Sequence, residues 1–200
     1  MVLADATSHP RPSTSDVNEE VVLTAHVPAQ PVASPVTSAA LRAAMSRFTT
    51  GVVVLTTGGG HVHGMTANAF SSVSLDPPLV LCCIAHSAVM HEALLSAGTF
   101  GVSVLRADQG AVATHFADKK RPLGLAQFAG HDWTEGDVTG VPLLGGALAW
   151  LECSVTDVHP AGDHSVVVGT VLGARTGEDA GSLAFYQGAF HEVPAREPPR

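Results

Sequence analysis

The apolar residues of this chain come in short blocks. Runs such as Val52–Leu55 and Leu79–Ile84 are strand-length, and none approaches the length of a membrane span. Twenty Gly and 13 Pro punctuate the chain, so it must turn often. Many short strands joined by tight turns predict a mainly β fold, an antiparallel barrel with a few helices packed outside.

Two hundred residues suffice for one domain with a sizeable core. Hydrophobic residues make up 46% and charged residues 14%, which places a large part of the chain in a globular class. Residues 1–36 differ. They are rich in Pro, Ser, Ala and Thr, hold no aromatic residue, and read as a disordered tail. Docking of Val21–Val27 on a partner is the lesser alternative. The domain is expected over 37–195.

Net charge is −8, and the one basic run is Lys119-Lys120-Arg121. That balance argues against general nucleic-acid binding. The cluster reads either as a solvated loop or as a clamp for a phosphate or a nicotinamide dinucleotide. Cys82, Cys83 and Cys153 show no CxxC spacing, and their odd number gives no disulfide framework. They read as small buried hydrophobes, as a reducing cytoplasm permits. No basic n-region precedes an apolar stretch at the N-terminus. A cytoplasmic protein without membrane contact is expected.

Thr37 or Ser38 caps an expected helix with Leu41, Ala44, Met45 and Phe48 at helical spacing, broken at Gly51. Val52–Thr57 reads as a buried strand, Gly58-Gly59-Gly60 as a hairpin turn, and His61–Thr66 as the return strand. Leu79–Ile84 is the next strand. Ser87 is expected to cap a helix reaching Ala97. Phe100–Leu105 is a strand, Asp108–Phe116 a short helix, and Ala117–Trp133 a loop. In Ala147–Val158, Ala149, Leu151, Cys153 and Val155 alternate with Glu152, Ser154 and Thr156, as in a half-exposed strand. His159–Asp163 turns and His164–Leu172 returns. Leu183–Tyr186 and Ala189–Val193 pair around Gln187-Gly188.

The stretch Gly64–Ile84 sets small residues and hydroxyls between two strand patterns. Gly64, Ala67 and Ala69 leave room for a flat ligand near the backbone. The Thr66, Ser71, Ser72 and Ser74 hydroxyls and free N–H groups suit a polar tail or phosphate. Eleven histidines raise the question of a metal. His61 and His63 would face one side of a strand, with His86, His91 or His164 as a third ligand, but no zinc-type spacing is present. Scattered histidines, and no metal, are the expectation. There is no GxSxG nucleophile elbow, no P-loop and no GxGxxG. Gly162-Asp163-His164 reads first as turn chemistry.

Four segments together resemble the flavin reductase family, the small reductase components of two-component flavin-dependent monooxygenases. They are Phe48–Val54, Gly64–Val80, Gly162–His164 and Phe185–Gly188, and the resemblance covers about residues 38–193. It implies a split β-barrel that binds FMN or FAD, uses NADH or NADPH, works as a homodimer and hands reduced flavin to a separate monooxygenase. By that resemblance, Met65, Thr66, Ala67 and Asn68 lie along the isoalloxazine. Ser71 and Ser72 reach the ribityl-phosphate, and Cys83, Ile84 and Ser87 hold its other side. His164, with Gly162 and Asp163, lies by the nicotinamide as the catalytic group, and Tyr186 lines that pocket. Gln127-Phe128 stands where relatives often carry Arg-Phe, which leaves the cation for the phosphate open. A non-catalytic flavin-binding or electron-carrier barrel is the competing reading. An oxidase of phosphorylated amines ranks behind it, because ten Lys plus Arg are few for that substrate.

Overall fold

The computed structural model of the chain describes residues 35–196. The tail expected over 1–36 lies outside them, except for Pro35 and Val36, which join no helix or strand. Among the described residues no helix is long and apolar enough to cross a membrane.

Twelve strands and three α-helices follow in order among the described residues. Helix α1 spans Ser38–Met45, and Thr37 caps it by accepting from Ala40 N–H at 3.1 Å. Strand β1 is Thr50–Gly51, β2 Val53–Thr57, β3 His63–Ala67, β4 Phe70–Leu75 and β5 Pro78–Ala85. Helix α2 is Val89–Ala97, β6 Thr99–Val104 and α3 Gly110–Ala117. Then come β7 Trp133–Glu135, β8 Pro142–Leu144, β9 Ala149–Ala161, β10 His164–Thr176, β11 Ser182–Tyr186 and β12 Ala189–Val193.

Seven strands form one antiparallel sheet in the order β3-β2-β6-β9-β10-β5-β4. Its two end strands, β3 and β4, are consecutive in sequence and separated only by Asn68 and Ala69. Laid flat, seven strands would hold those ends roughly 29 Å apart, at about 4.8 Å per step. Three Cα–Cα steps from Ala67 to Phe70 reach at most about 11 Å. The sheet therefore curls until its ends nearly meet, yet β3 and β4 share no ladder. This is a barrel left open along one seam, and the short bend crosses the seam.

Strand β2 is buried along its whole length. Val53 and Leu55 point into a core with Ile84, Phe100, Val102 and Val167. Val52 and Val54 point the other way, into a second core with Phe116, Phe128, Leu144 and Leu183. Burial on both faces explains why this segment is continuously apolar rather than alternating. The separate β1-β11-β12 sheet closes over that second core.

Several expectations need correction. Ser87 does not cap α2: the N-cap is Ala88, with no side-chain hydrogen bond. The segment read as a loop after α3 contains a 3₁₀ turn, Gly124–Phe128, that buries Gln127 and Phe128. Glu152, read as solvent-facing, is buried. Its carboxylate accepts from the Val138 and Thr139 N–H groups and from Thr139 Oγ1 at 2.6–3.2 Å. Alternation could not reveal this, because the donors come from a loop 13 residues away. Gly64 is small for a different reason than ligand room. A Cβ there would lie 2.7 Å from Phe116 Cε1 and 3.2 Å from Phe128 Cζ.

Candidate active site

Strand β3 is an edge strand, and the antiparallel ladder sends its residues alternately to β2 and to the open side. Gly64 faces outward: its N–H donates to Gln127 Oε1 at 2.8 Å, and its C=O accepts from Arg121 Nη2. Alternation then turns the N–H and C=O of Thr66 outward as well. The Thr66 hydroxyl is already committed, donating to Ala113 C=O at 2.7 Å and tying β3 to α3. What Thr66 offers a ligand is backbone.

Two clefts meet at this edge. One, of about 170 Å³, is lined by Val52, Thr66, Ala67, Asn68, Phe185 and Phe190. The other, of about 300 Å³, is lined by Met65, Thr66, Ser87, Phe116, Lys119 and Arg121 among others. Thr66 and Ala117 belong to both. One cleft is apolar and aromatic, and its neighbour ends in two cations. That combination fits a flat ring with an anionic tail.

The comparisons with known proteins agree with that shape. The family model described as "Flavin reductase like domain" matches residues 45–194. The chain belongs to this family. An NADH-dependent FAD reductase from Streptomyces globisporus is 47% identical over 150 residues, covering 75% of this chain and 82% of that protein. An NADH:riboflavin 5'-phosphate oxidoreductase from Streptomyces pristinaespiralis is 42% identical over 167 residues, covering 82% of this chain and 91% of that one. Among solved structures, the flavin reductase component of a bacterial two-component tryptophan halogenase superposes with a TM-score of 0.77 at 48% identity. It covers 80% of this chain and all of that one.

Within this flavin reductase fold, the remaining sequence-predicted residues fall into three groups. Met65, Thr66, Ala67, Asn68 and Ser87 line the two clefts. Gly162, Asp163 and His164 form the β9–β10 turn, where Gly162 takes φ +64° as a tight turn requires. Asp163 C=O accepts from His86 N–H at 2.9 Å, which sets the turn beside Ser87 and the cleft. His164 Nδ1 donates to Asp163 Oδ1 at 2.7 Å. That bond holds the Asp163 carboxyl below its usual range, and in the neutral ring it leaves Nε2 as an acceptor.

The third group lines neither cleft. Ser71 and Ser72 are exposed on β4, where Ser71 Oγ donates to Ser72 C=O at 3.1 Å. Cys83 is half-buried, and its N–H donates to Ala69 C=O at 2.9 Å, one step beyond the β4–β5 ladder. The Ile84 side chain is buried in the barrel core. Tyr186 stacks edge-on to His191 at 6.1 Å, while its neighbour Phe185 reaches the cleft. Cys82 and Cys153 are free and buried, and burial first pushes both thiols up to about 12.

Lys119 and Arg121, which the sequence left open between a solvated loop and a clamp for a phosphate or a nicotinamide dinucleotide, both line the larger cleft. Arg121 is half-buried because its guanidinium lies on β3. It donates to Asp118 C=O at 2.7 Å and contacts His63 Nε2 at 3.0 Å. Only the tertiary fold brings it there. Among the described residues no three His, Cys, Asp or Glu side chains converge as a metal requires. His61 sits in a 3₁₀ turn, out of the strand that holds His63.

Proposed function

We propose that this chain is an NADH-dependent flavin reductase that reduces FMN or FAD for a separate monooxygenase, working as a cytoplasmic homodimer. The observation that carries this reading is the outward-turned Thr66 backbone at the edge between an aromatic-lined cleft and a cation-ended one, in a chain of this family. A bound flavin supplies the hydride-accepting ring, and the protein's task is placement.

The Thr66 N–H would hold the edge of a bound flavin ring and would stabilise negative charge on it. Phe185 and Phe190 wall that space and keep water out. Arg121 and Lys119 balance the phosphate, with Ser87 beside them. Ser71, Ser72, Cys83 and Ile84 contribute through the backbone of β4 and β5 rather than through side chains. His164, oriented by Asp163, presents Nε2 to the nicotinamide carboxamide and aligns it for transfer. Tyr186, next after Phe185 along β11, stacks edge-on to His191. Release of reduced flavin suits a site built from backbone and clefts, with no covalent attachment.

The test uses purified protein, NADH and excess flavin under argon, following loss of flavin absorbance. Turnover is expected; tight flavin binding without turnover would favour a carrier instead. Thr66→Pro removes an N–H that makes no ladder bond. It should lower kcat/KM roughly 100-fold, on the scale of one lost charge-stabilising donor. Thr66→Val removes only the hydroxyl bond to Ala113 and should lose far less. Equal losses in the two variants would mean that the backbone donor has no special part.

A further inference from the structure

Ser165 is the polar exception on the inward face of β10, which it shares with Val167 and Gly169. Two imidazoles meet its hydroxyl. His91 Nε2 lies 2.9 Å from Ser165 Oγ and His86 Nε2 lies 3.2 Å from it, with the two ring centroids 5.0 Å apart. A serine hydroxyl has one proton to give, so at most one imidazole accepts from it and the other donates. A buried hydroxyl is costly to leave unpaired. The arrangement therefore ties together the start of β10, the crossing that leaves β5, and the first turn of α2. None of the three side chains lines either cleft at the Thr66 edge.

His86 carries the link onward. Its N–H donates to Asp163 C=O at 2.9 Å, and Asp163 Oδ1 accepts from His164 Nδ1 at 2.7 Å. The connection runs from His91 through Ser165, His86 and Asp163 to His164. The β9–β10 turn has few other holds. Beyond Val155, β9 pairs with β10 alone. Pro160, opposite Ser165, has no N–H to give, and nothing packs within 4 Å of where a Gly162 side chain would start. We propose that Ser165 is a positioning residue for the nicotinamide: through His86 it fixes the turn that aims His164. The proposal rests on the flavin-reductase reading and adds to it a group that acts from behind the site, out of ligand contact. Small displacements matter there, because a misplacement of about 1 Å can slow a transfer roughly 100-fold.

Steady-state NADH oxidation by the full chain, with each substrate varied in turn, tests this. Ser165→Ala deletes both imidazole bonds and keeps a small side chain in the strand. KM for NADH should rise roughly threefold or more while KM for flavin stays within about twofold, which also shows that the variant folds. His86→Ala, at an exposed position, should reproduce that split, and it keeps the test open should the buried variant fail to fold. A cycle with His164→Ala separates positioning from general support. If Ser165 acts through His164, adding Ser165→Ala to His164→Ala raises KM for NADH by less than about 1.5-fold further. An undiminished rise in that background would give Ser165 an independent part and overturn the proposal. So would a wild-type KM for NADH in both single variants, or KM values for NADH and flavin that rise alike. A wild type that turns over neither FMN nor FAD would sink the reductase reading itself, and the proposal with it, before any variant is compared.

Discussion

At Gly64 a missing side chain lets two aromatic rings reach the backbone of β3. Phe116 and Phe128 fill the space a Cβ would need, and Arg121 and Gln127 take the outward C=O and N–H. The next outward residue, Thr66, has no such cover on its backbone, so binding capacity is concentrated there. The neighbouring His63 is buried. Burial first, and the Arg121 guanidinium second, lower its pKa to about 4. Above pH 6.5 the folded and unfolded chains both hold this ring neutral. Between 6.5 and 4 the unfolded chain takes up a proton that the fold refuses, so stability falls with pH and levels off below 4. The loss is at most about 3 kcal/mol. His63→Gln keeps an acceptor for Arg121 and lacks the titration. Urea midpoints measured from pH 7 to pH 4 should fall less for this variant than for the wild type. A second residue-scale outcome concerns His164. Its side chain is 43% exposed on a turn, so His164→Ala should leave the fold intact. KM for NADH should rise severalfold while KM for flavin holds, because the lost interaction is to the nicotinamide alone. Steady-state kinetics with each substrate varied in turn would read the split, and a change confined to flavin would contradict the assignment.

Elements built on local pattern were legible. Val52–Thr57 is apolar because both its faces are covered, and such a run reads as a strand with no further knowledge. Thr37 caps α1 through a bond three residues long, which is sequence-local. The four motif segments gave the family, and with it the barrel. What escaped was long-range. Strand β4 is not assigned by the sequence between the expected strands at 61–66 and 79–84, because its serines face solvent and leave no apolar alternation to read. The cations at 119 and 121 could not be placed beside Thr66 without the fold of the intervening helix. Glu152 is the clearest instance. Its position in an alternating strand suggests solvent, but the 136–140 loop folds over it. Burial opposes its ionisation. Hydrogen bonds from Thr139 Oγ1 and from the Thr139, Val138 and Asp137 N–H groups outweigh that and hold its carboxyl below the ordinary range. The stabilisation is present above the ordinary carboxylate pKa and is lost as pH falls through the folded value. Glu152→Gln turns an amide NH₂ toward the same donors. It should cost about 1–3 kcal/mol and speed hydrogen exchange at Val138 and Thr139 ahead of the sheet. Exchange rates unchanged at both amides would mean that the loop holds without the carboxylate.

Across the whole molecule, the open seam and α1 raise one question, which is what covers the apolar surface beside the site. Helix α1 buries none of its residues. Leu41, Met45 and Phe48 are exposed at 56%, 54% and 65%. Arg42, Met45, Phe48, Asn68 and Phe185 line a space of about 350 Å³ next to the Thr66 edge. A helix with a good cap and a defined apolar stripe, but no core of its own, keeps its position best when something packs on that stripe. A second copy of the chain is the occupant that the proposed homodimer supplies. Leu41→Glu with Met45→Glu puts two charges on the stripe without touching Thr66, Ser87 or His164. Sedimentation should show twice the monomer mass for the wild type and the monomer mass for the double variant. Because Asn68 and Phe185 border the same space, the monomer should also bind flavin more weakly, with KM for flavin rising more than KM for NADH. A wild type that sediments as a monomer at working concentration would remove the homodimer and leave α1 to another partner. A variant that stays dimeric would move the interface elsewhere on the barrel.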